Sequence, residues 1–303
     1  MRSLECFTFL ILRIPNITEL GMDLQNELDF AIDLIKSTSK RVLELHRSEG
    51  SSYELKEDKS KVTEADRIIN EILVKVIAKE FRNDLVIGEE SASSVDSKNK
   101  RRTWLIDPID GTADFIRGND QWAIQIGLVD RETAVMGLVA RPLRDELFFA
   151  RQGAGSFVTS LSSTTKATQI HCSNCSDIKV ARLIESSNRI DPTTAQFRAE
   201  GFNNELIRTG SLGIKLGEIA KSKADLYFNS SHHCGLWDVC GPQVILEEAG
   251  GLLLDFQGNK ITYRLNQGPK LTTKVFACNK SLRDSVLSWL SRENPTSSNS
   301  LHT

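Results

Sequence analysis

Between residues 23 and 45 the apolar side chains of Leu24, Leu28, Ala31, Ile32, Ile35, Val42 and Leu43 recur at steps of three and four, the spacing of a helix with one buried face. A second such stretch covers 63–81, where Ile68, Ile69, Ile72, Val76 and Ile77 repeat the pattern and Thr63 and Asp66 are placed to cap its start. The charged segment 56–61 between them reads as an exposed hairpin or loop. The period then changes. Leu85-Val86-Ile87 before Gly88 and Trp104-Leu105-Ile106 before Asp107 are short apolar runs stopped by polar residues, as buried strands are. AIQIGLV, AVMGLVA and ELFFA follow within 123–158, separated by the turn-like DRE and RPLRD, and predict a β-meander in an α+β sheet.

A second half begins near Ser160 with a Ser/Thr-rich loop. Its pattern predicts a strand over 179–184 and helices near 193–200, over 211–221 and over 238–249, the last stopped by Gly250-Gly251. No internal repeat is evident. The expected organisation is an extension over 1–21, a core domain over 22–293 with lobes at about 22–160 and 161–293, and a disordered tail over 294–303.

A chain of 303 residues buries a core without disulfides, and 40% hydrophobic with 26% charged residues is the balance of a soluble globular protein. Lys+Arg 38 against Asp+Glu 40 gives a net charge of -2, which makes no electrostatic case for nucleic acid or a membrane surface. Six scattered cysteines suit reduced thiols, so the cytoplasm is the expected compartment. The apolar run CFTFLIL at 6–12 has the look of a signal-peptide core, but Arg13 and Pro15 interrupt it and no small-residue cleavage site follows. It is also far short of the roughly 20 apolar residues that span a bilayer. It reads as part of an extension ahead of a start near Met22.

The densest chemical signal is Asp107-Pro108-Ile109-Asp110-Gly111-Thr112, at the end of a predicted strand and opening a short helix through 113–116. In such a turn Asp107 and Asp110 can offer oxygens to hard divalent cations, with the Ile109 carbonyl between them. The amides of Gly111 and Thr112 then sit at a helix start, where free N–H groups attract a phosphate. Adjacent cation and anion sites are what metal-assisted hydrolysis of a phosphate ester requires. Taken alone, D-P-x-D-G-T is equally a turn. Three further acids at element ends shift that reading: Glu89 in Gly88-Glu89-Glu90-Ser91, Asp66, and Asp238 after Trp237. Together they supply the ligands for two or three magnesium ions.

WLIDPIDGTADF, GEES and WDVCGPQVILEEAGG, in this spacing, resemble the three motifs of the inositol monophosphatase superfamily, and the resemblance covers the chain from about Asp23 to Leu290. It implies a layered α/β/α/β/α sandwich of the inositol monophosphatase and fructose-1,6-bisphosphatase type, and a magnesium-dependent phosphomonoesterase. Carried onto this chain, Glu89, Asp107 and the Ile109 carbonyl hold a first ion, and Asp107, Asp110 and Asp238 a second. Glu89 and the Thr112 hydroxyl orient and deprotonate the attacking water. Asp66 supports a third ion through water, and the Gly111 and Thr112 amides hold the scissile phosphate. The resemblance further implies lithium sensitivity and a homodimer. A non-catalytic binding or regulatory member of the fold is expected to have lost one of these ligands, and none is lost.

The substrate is less legible, because such enzymes share the metal centre and differ in the wall that meets the leaving group. Gly210-Ser211-Leu212-Gly213-Ile214-Lys215 resembles the glycine-rich stretch with a lysine found in 3'(2'),5'-bisphosphate nucleotidases, which makes Gly210, Ser211 and Lys215 candidate substrate contacts. Asn229 stands where inositol-specific members tend to carry a glutamate, and WDVCGPQVIL is closer to the nucleotidase form of that motif. The expected substrate is therefore adenosine 3',5'-bisphosphate, with inositol monophosphate, histidinol phosphate and sugar bisphosphates as alternatives. Lys215 is alternatively a solvated residue on its helix. Cys172 and Cys175 after His171 form half of a zinc pattern whose nearest partners are His232, His233 and Cys234, but incidental thiols are the expected reading. His232 and His233 are expected to line the loop before Trp237 and to touch substrate.

Overall fold

A computed structural model describes residues 23–48, 52–57, 60–94, 101–163, 166–202, 204–231 and 234–293. The expected extension, the tail, and His232 with His233 lie outside the described residues. The first half of the chain comprises α1 (Gln25–Ser48), β1 (Glu54–Leu55), β2 (Lys61–Val62), α2 (Glu64–Glu80), β3 (Leu85–Gly88), β4 (Arg102–Asp110), α3 (Thr112–Ile116), β5 (Ala123–Asp130), β6 (Thr133–Arg141), β7 (Glu146–Arg151), β8 (Ser156–Ser160) and β9 (Thr168–Ile170). The second comprises β10 (Leu183–Ser186), α4 (Pro192–Ala199), β11 (Leu206–Thr209), α5 (Leu212–Ala220), β12 (Leu226–Asn229), α6 (Leu236–Glu248), β13 (Gly251–Asp255), β14 (Val275–Asn279) and α7 (Arg283–Glu293).

Strands β3 to β9 form a seven-stranded sheet in sequence order, parallel at β3/β4 and antiparallel thereafter. A second sheet has the order β11-β10-β12-β14-β13. The apolar stripes of α1 and α2 cover one face of the first sheet, with Leu28, Ile35, Ile69 and Leu73 packed with Trp104, Ile106 and Ile126. Helices α5 and α6 lie between the sheets, and α4 and α7 cover the outer face of the second, around Phe197, Phe228, Phe276 and Trp289. The result is the α/β/α/β/α sandwich. Helix α6 is apolar on nearly every side because both its flanks are buried, as a helix between two sheets must be. Its approach to the first sheet is close enough to require glycine on both partners: a Cβ on Gly137 would lie 2.0 Å from the Gly241 carbonyl oxygen.

Both predicted N-terminal helices and the meander stand where the periodicity put them. β1 pairs antiparallel with β2, as expected of a hairpin there, yet Lys56 turns inward. The strand expected over 179–184 forms instead at Leu183–Ser186. Residues 178–180 make a turn, and Arg182 is held by Asp225 through its backbone N–H and guanidinium, both 2.8 Å from Asp225 Oδ2. The first sheet extends past residue 160, since β9 pairs with β8, while α6 from the second half packs on its face. No helix among the described residues is long and apolar enough to cross a membrane.

Candidate active site

In a regular strand residues three apart point to opposite faces, so Asp107 and Asp110 would diverge. Their register against β5 shifts between these two positions, and the irregularity re-aims the side chains. Carboxylate oxygens of Asp107, Asp110 and Asp238 come within 4.8 Å of one another. Asp107 Oδ1 accepts the Ile109 N–H at 3.0 Å, which fixes the turn around Pro108. Gly111 follows with φ 97°, where a Cβ would also meet the Gln121 carbonyl oxygen at 3.0 Å, so the turn into α3 admits little but glycine. Asp238 arrives from the first turn of α6, where its Oδ2 accepts the Gly235 N–H at 2.5 Å. The donors are all carboxylate oxygens, a set that suits a hard divalent cation, so the residues present fit the metal expected of them.

Glu89, at the end of β3, lines the same cleft. Lys56 from the β1–β2 hairpin reaches it, with Nζ 2.7 Å from Glu89 Oε1 and 2.5 Å from Glu90 Oε1. Asp66 is buried in the first turn of α2, where its Oδ2 accepts the Thr63 N–H at 2.8 Å and the Thr63 hydroxyl at 2.5 Å. Its Oδ1 stands 3.2 Å from the Thr112 hydroxyl, which is also 3.1 Å from the Ile109 carbonyl. Thr112 is thus held by Asp66, and the capping residue of one helix orients a side chain at the cleft.

The second half of the chain grips Asp110. Its Oδ2 accepts the Ser211 hydroxyl at 2.5 Å, the Gly213 N–H at 2.9 Å and the Gln125 side-chain amide. Three donors on one oxygen leave the other for a cation. Ser211 is therefore buried behind Asp110, outside the cleft lining, whereas Gly210 lines it. Lys215 corrects both readings made from the sequence. It is neither solvated nor at the cleft wall: it is 2% exposed, with Nζ donating to the carbonyls of Gly210 and Ser211, the latter at 3.2 Å, and lying 5.6 Å from the centre of the Tyr227 ring. An ammonium on this side of α5 is enclosed by the packing of that helix between the sheets.

Burial dominates the electrostatics, and mutual repulsion adds to it. Burial raises Glu89 from its ordinary 4.5 to about 8, with Asp238 adding repulsion and Lys56 opposing it. Burial and then the charge of Asp110 take Asp238 to about 6, and burial takes Asp66 to about 6 against the pull of Thr63. Asp107 is pushed well above the carboxylate range by burial, then by Glu89, Asp110 and Asp238. Asp110 is raised by burial, less so because Ser211, Gly213 and Lys215 favour its charge. Such a cluster holds protons until a cation replaces them.

Gln125, Lys56, Asp114 and Asn188 were not singled out from the sequence. A glutamine inside the apolar run AIQIGLV was the available signal for Gln125. Asp114, fully buried, accepts from Asn119 at 2.8 Å, Arg117 at 3.0 Å and Asn188 at 2.8 Å, and so ties the α3 turn to the loop after β10. Nothing in the local sequence marks that link. The cleft bounded by these loops has a volume of about 450 Å³, and its lining includes Glu89, Asp107, Ile109, Asp110, Gly111, Thr112 and Asp238. Cys172 and Cys175 are free thiols, and neither joins a metal-holding cluster among the described residues.

A five-layer sandwich carrying a carboxylate cluster against a glycine turn defines a metal-dependent phosphomonoesterase. The chain belongs to the inositol monophosphatase family, whose family model matches residues 23–288. It is 30% identical over 217 residues to the 3'(2'),5'-bisphosphate nucleotidase CysQ of Haemophilus influenzae, covering 69% of this chain and 77% of that one. It is 29% identical over 244 residues to inositol monophosphatase 1 of Bos taurus, covering 77% and 85%. In fold it superposes on inositol monophosphatase II of Staphylococcus aureus with a TM-score of 0.74, at 21% identity, over 89% of this chain and 95% of that one.

Proposed function

We propose that the protein is a magnesium-dependent phosphatase of a small soluble metabolite, and that adenosine 3',5'-bisphosphate is its substrate. The observation that carries the reaction class is the convergence of Asp107, Asp110 and Asp238 beside Gly111 and Thr112. Glu89, Asp107 and the Ile109 carbonyl would hold one ion and Asp107, Asp110 and Asp238 another, with Asp66 serving a third. Bound magnesium offsets the charge of the phosphoryl group and lowers the pKa of the attacking water. Glu89 takes the proton from that water. Thr112, held by Asp66, orients it, while the amides of Gly111 and Thr112 fix the phosphate. The same resemblance supports a homodimer, the six scattered cysteines support a cytoplasmic enzyme, and the near-neutral charge supports the absence of nucleic-acid and membrane partners.

The nucleotidase reading is supported by the CysQ relative and by Asn229, which is buried, with Oδ1 accepting from Ser231, rather than offering a carboxylate to ring hydroxyls. Inositol monophosphate stays the second reading because relatives named for it match at 28–29% identity over comparable lengths. A phosphate-release panel of adenosine 3',5'-bisphosphate, inositol monophosphate, histidinol phosphate and fructose bisphosphate decides between them. Activity is expected only with magnesium, to be inhibited by lithium, and to be greatest on the first compound. Full activity in excess chelator would end the metal assignment, and preference for inositol monophosphate would transfer the function to the second reading.

A further inference from the structure

The cations around the cleft divide into two groups. Lys56 is committed to Glu89 and Glu90, Lys215 to two backbone carbonyls, and Arg117 to Asp114 and Asn188. Lys61 and Lys270 line the cleft itself, and among the described residues neither is paired with a carboxylate. Lys61 extends from β2 with its ammonium 4.4 Å from the centre of the Tyr53 ring. Lys270 is held by its backbone. It bridges Gly235, while the flanking Pro269 carbonyl accepts the Leu236 N–H at 2.7 Å and the Leu271 N–H reaches the Cys234 carbonyl at 2.8 Å. Gly235 in turn donates to the cluster ligand Asp238. Lys270 is therefore registered against the loop that sets the acid cluster. It also walls a neighbouring hollow of about 160 Å³ together with Lys260 and Asp255, where Arg264 is paired with Glu132 at 3.2 Å.

We infer that Lys270, backed by Lys61, binds a second phosphate of the substrate, which makes the substrate class a small phosphomonoester with another anionic group. This rests on the phosphatase reading and moves the selective contact from Lys215 to Lys270. An anion entering the cleft is repelled by Glu89, Asp107, Asp110 and Asp238 except where cations compensate them, and a remote phosphate needs a counter-charge of its own. Among the described residues, Lys270 and Lys61 are the lining cations not paired with a carboxylate and so able to supply it.

The test uses the full chain in magnesium and two probes that differ by one phosphate, adenosine 3',5'-bisphosphate and adenosine 3'-monophosphate. Lys270→Met keeps the apolar stem and is expected to raise KM for the bisphosphate about tenfold, as loss of a charge-assisted contact does, with kcat unchanged. KM for the monophosphate is expected to stay within about twofold. Lys61→Met should act in the same direction and less. Calorimetric titration of both probes against wild type and Lys270→Met reads the same difference as affinity. Equal shifts for the two probes, or none for either, would overturn the inference. If wild type releases phosphate from neither probe, the phosphatase reading fails on these compounds, and the calorimetric difference still decides the anion site.

Discussion

Two lysines lie near one acid cluster, one from each half of the chain, and their environments differ in kind. Lys56, on the hairpin before α2, meets two glutamates: burial pulls its pKa down, but Glu89 and Glu90 outweigh this and raise it. Lys215, inside α5, meets two carbonyl oxygens and the Tyr227 ring but no paired carboxylate, and burial lowers it to about 8 against the partial support of Asp110. The first region is an ion pair at a partly open edge. The second is a lone charge enclosed by packing, useful because it fixes the loop from which Ser211 and Gly213 grip Asp110. A cation in an acid cluster is thus no evidence of a substrate contact until its own partners are known.

The comparison breaks most visibly if the cluster is not catalytic. Asp110→Asn keeps its size but loses charge at the point where both halves of the chain meet, and Glu89→Gln removes the proposed base. Each is expected to lower turnover by about 10²–10⁴-fold, with the fold kept and the stabilisation by magnesium reduced. Near wild-type rates across the substrate panel would remove that residue from the mechanism.

Lys215→Met sharpens the contrast. It leaves the carbonyls of Gly210 and Ser211 short of a donor in a closed space, at a cost of about 1–3 kcal/mol. It also loosens the loop on Asp110. Denaturant unfolding should show that loss, and kcat/KM should fall alike on the 3'-monophosphate and the bisphosphate. A loss confined to the bisphosphate would return Lys215 to the substrate wall and count against Lys270.

These contrasts also mark what was legible in the chain. The amphipathic helices, the meander and the layered fold follow from periods of 3.6 and 2, which are local properties. The Asp107, Asp110, Asp238 cluster was legible because each member sits at an element end beside a turn or cap signal. The fates of Gln125, Ser211 and Lys56 were not, since each depends on a residue on another element: Gln125 and Ser211 on Asp110, 15 and 101 positions away, and Lys56 on Glu89, 33 positions away. That of Lys215 was not either, because its partners are near in sequence but its burial comes from the packing around α5. A helix between two sheets has no solvent face, and periodicity alone does not announce that its lysine is enclosed. The strands Leu226–Asn229 and Val275–Asn279 escaped for a related reason, being buried runs too short for alternation to show.

The smallest expected effect is the most discriminating for Lys56. Without a cation, Glu89 has its pKa raised from 4.5 to about 8, so the stability tied to its neutral form is fully present below 4.5 and is lost as pH rises through about 8. Asp238 and Asp66, raised to about 6, act in the same direction over the lower part of that window. In chelator the melting temperature should therefore fall between these limits. Magnesium binds the ionised cluster and releases protons, so its stabilising effect should grow with pH. Lys56 is charged throughout this window and lowers the cost of an ionised Glu89. Lys56→Met should depress the melting temperature in chelator near pH 9, where Glu89 is ionised, by roughly 2 °C, about what loss of a partly buried pair worth near 1 kcal/mol produces. In saturating magnesium the metal supplies that counter-charge, so the deficit should shrink toward zero, whereas the deficit of Lys215→Met should persist. Scanning both variants with and without the ion reads this directly, and an equal Lys56→Met deficit in the two conditions would mean that the lysine supports the hairpin rather than the charge of Glu89.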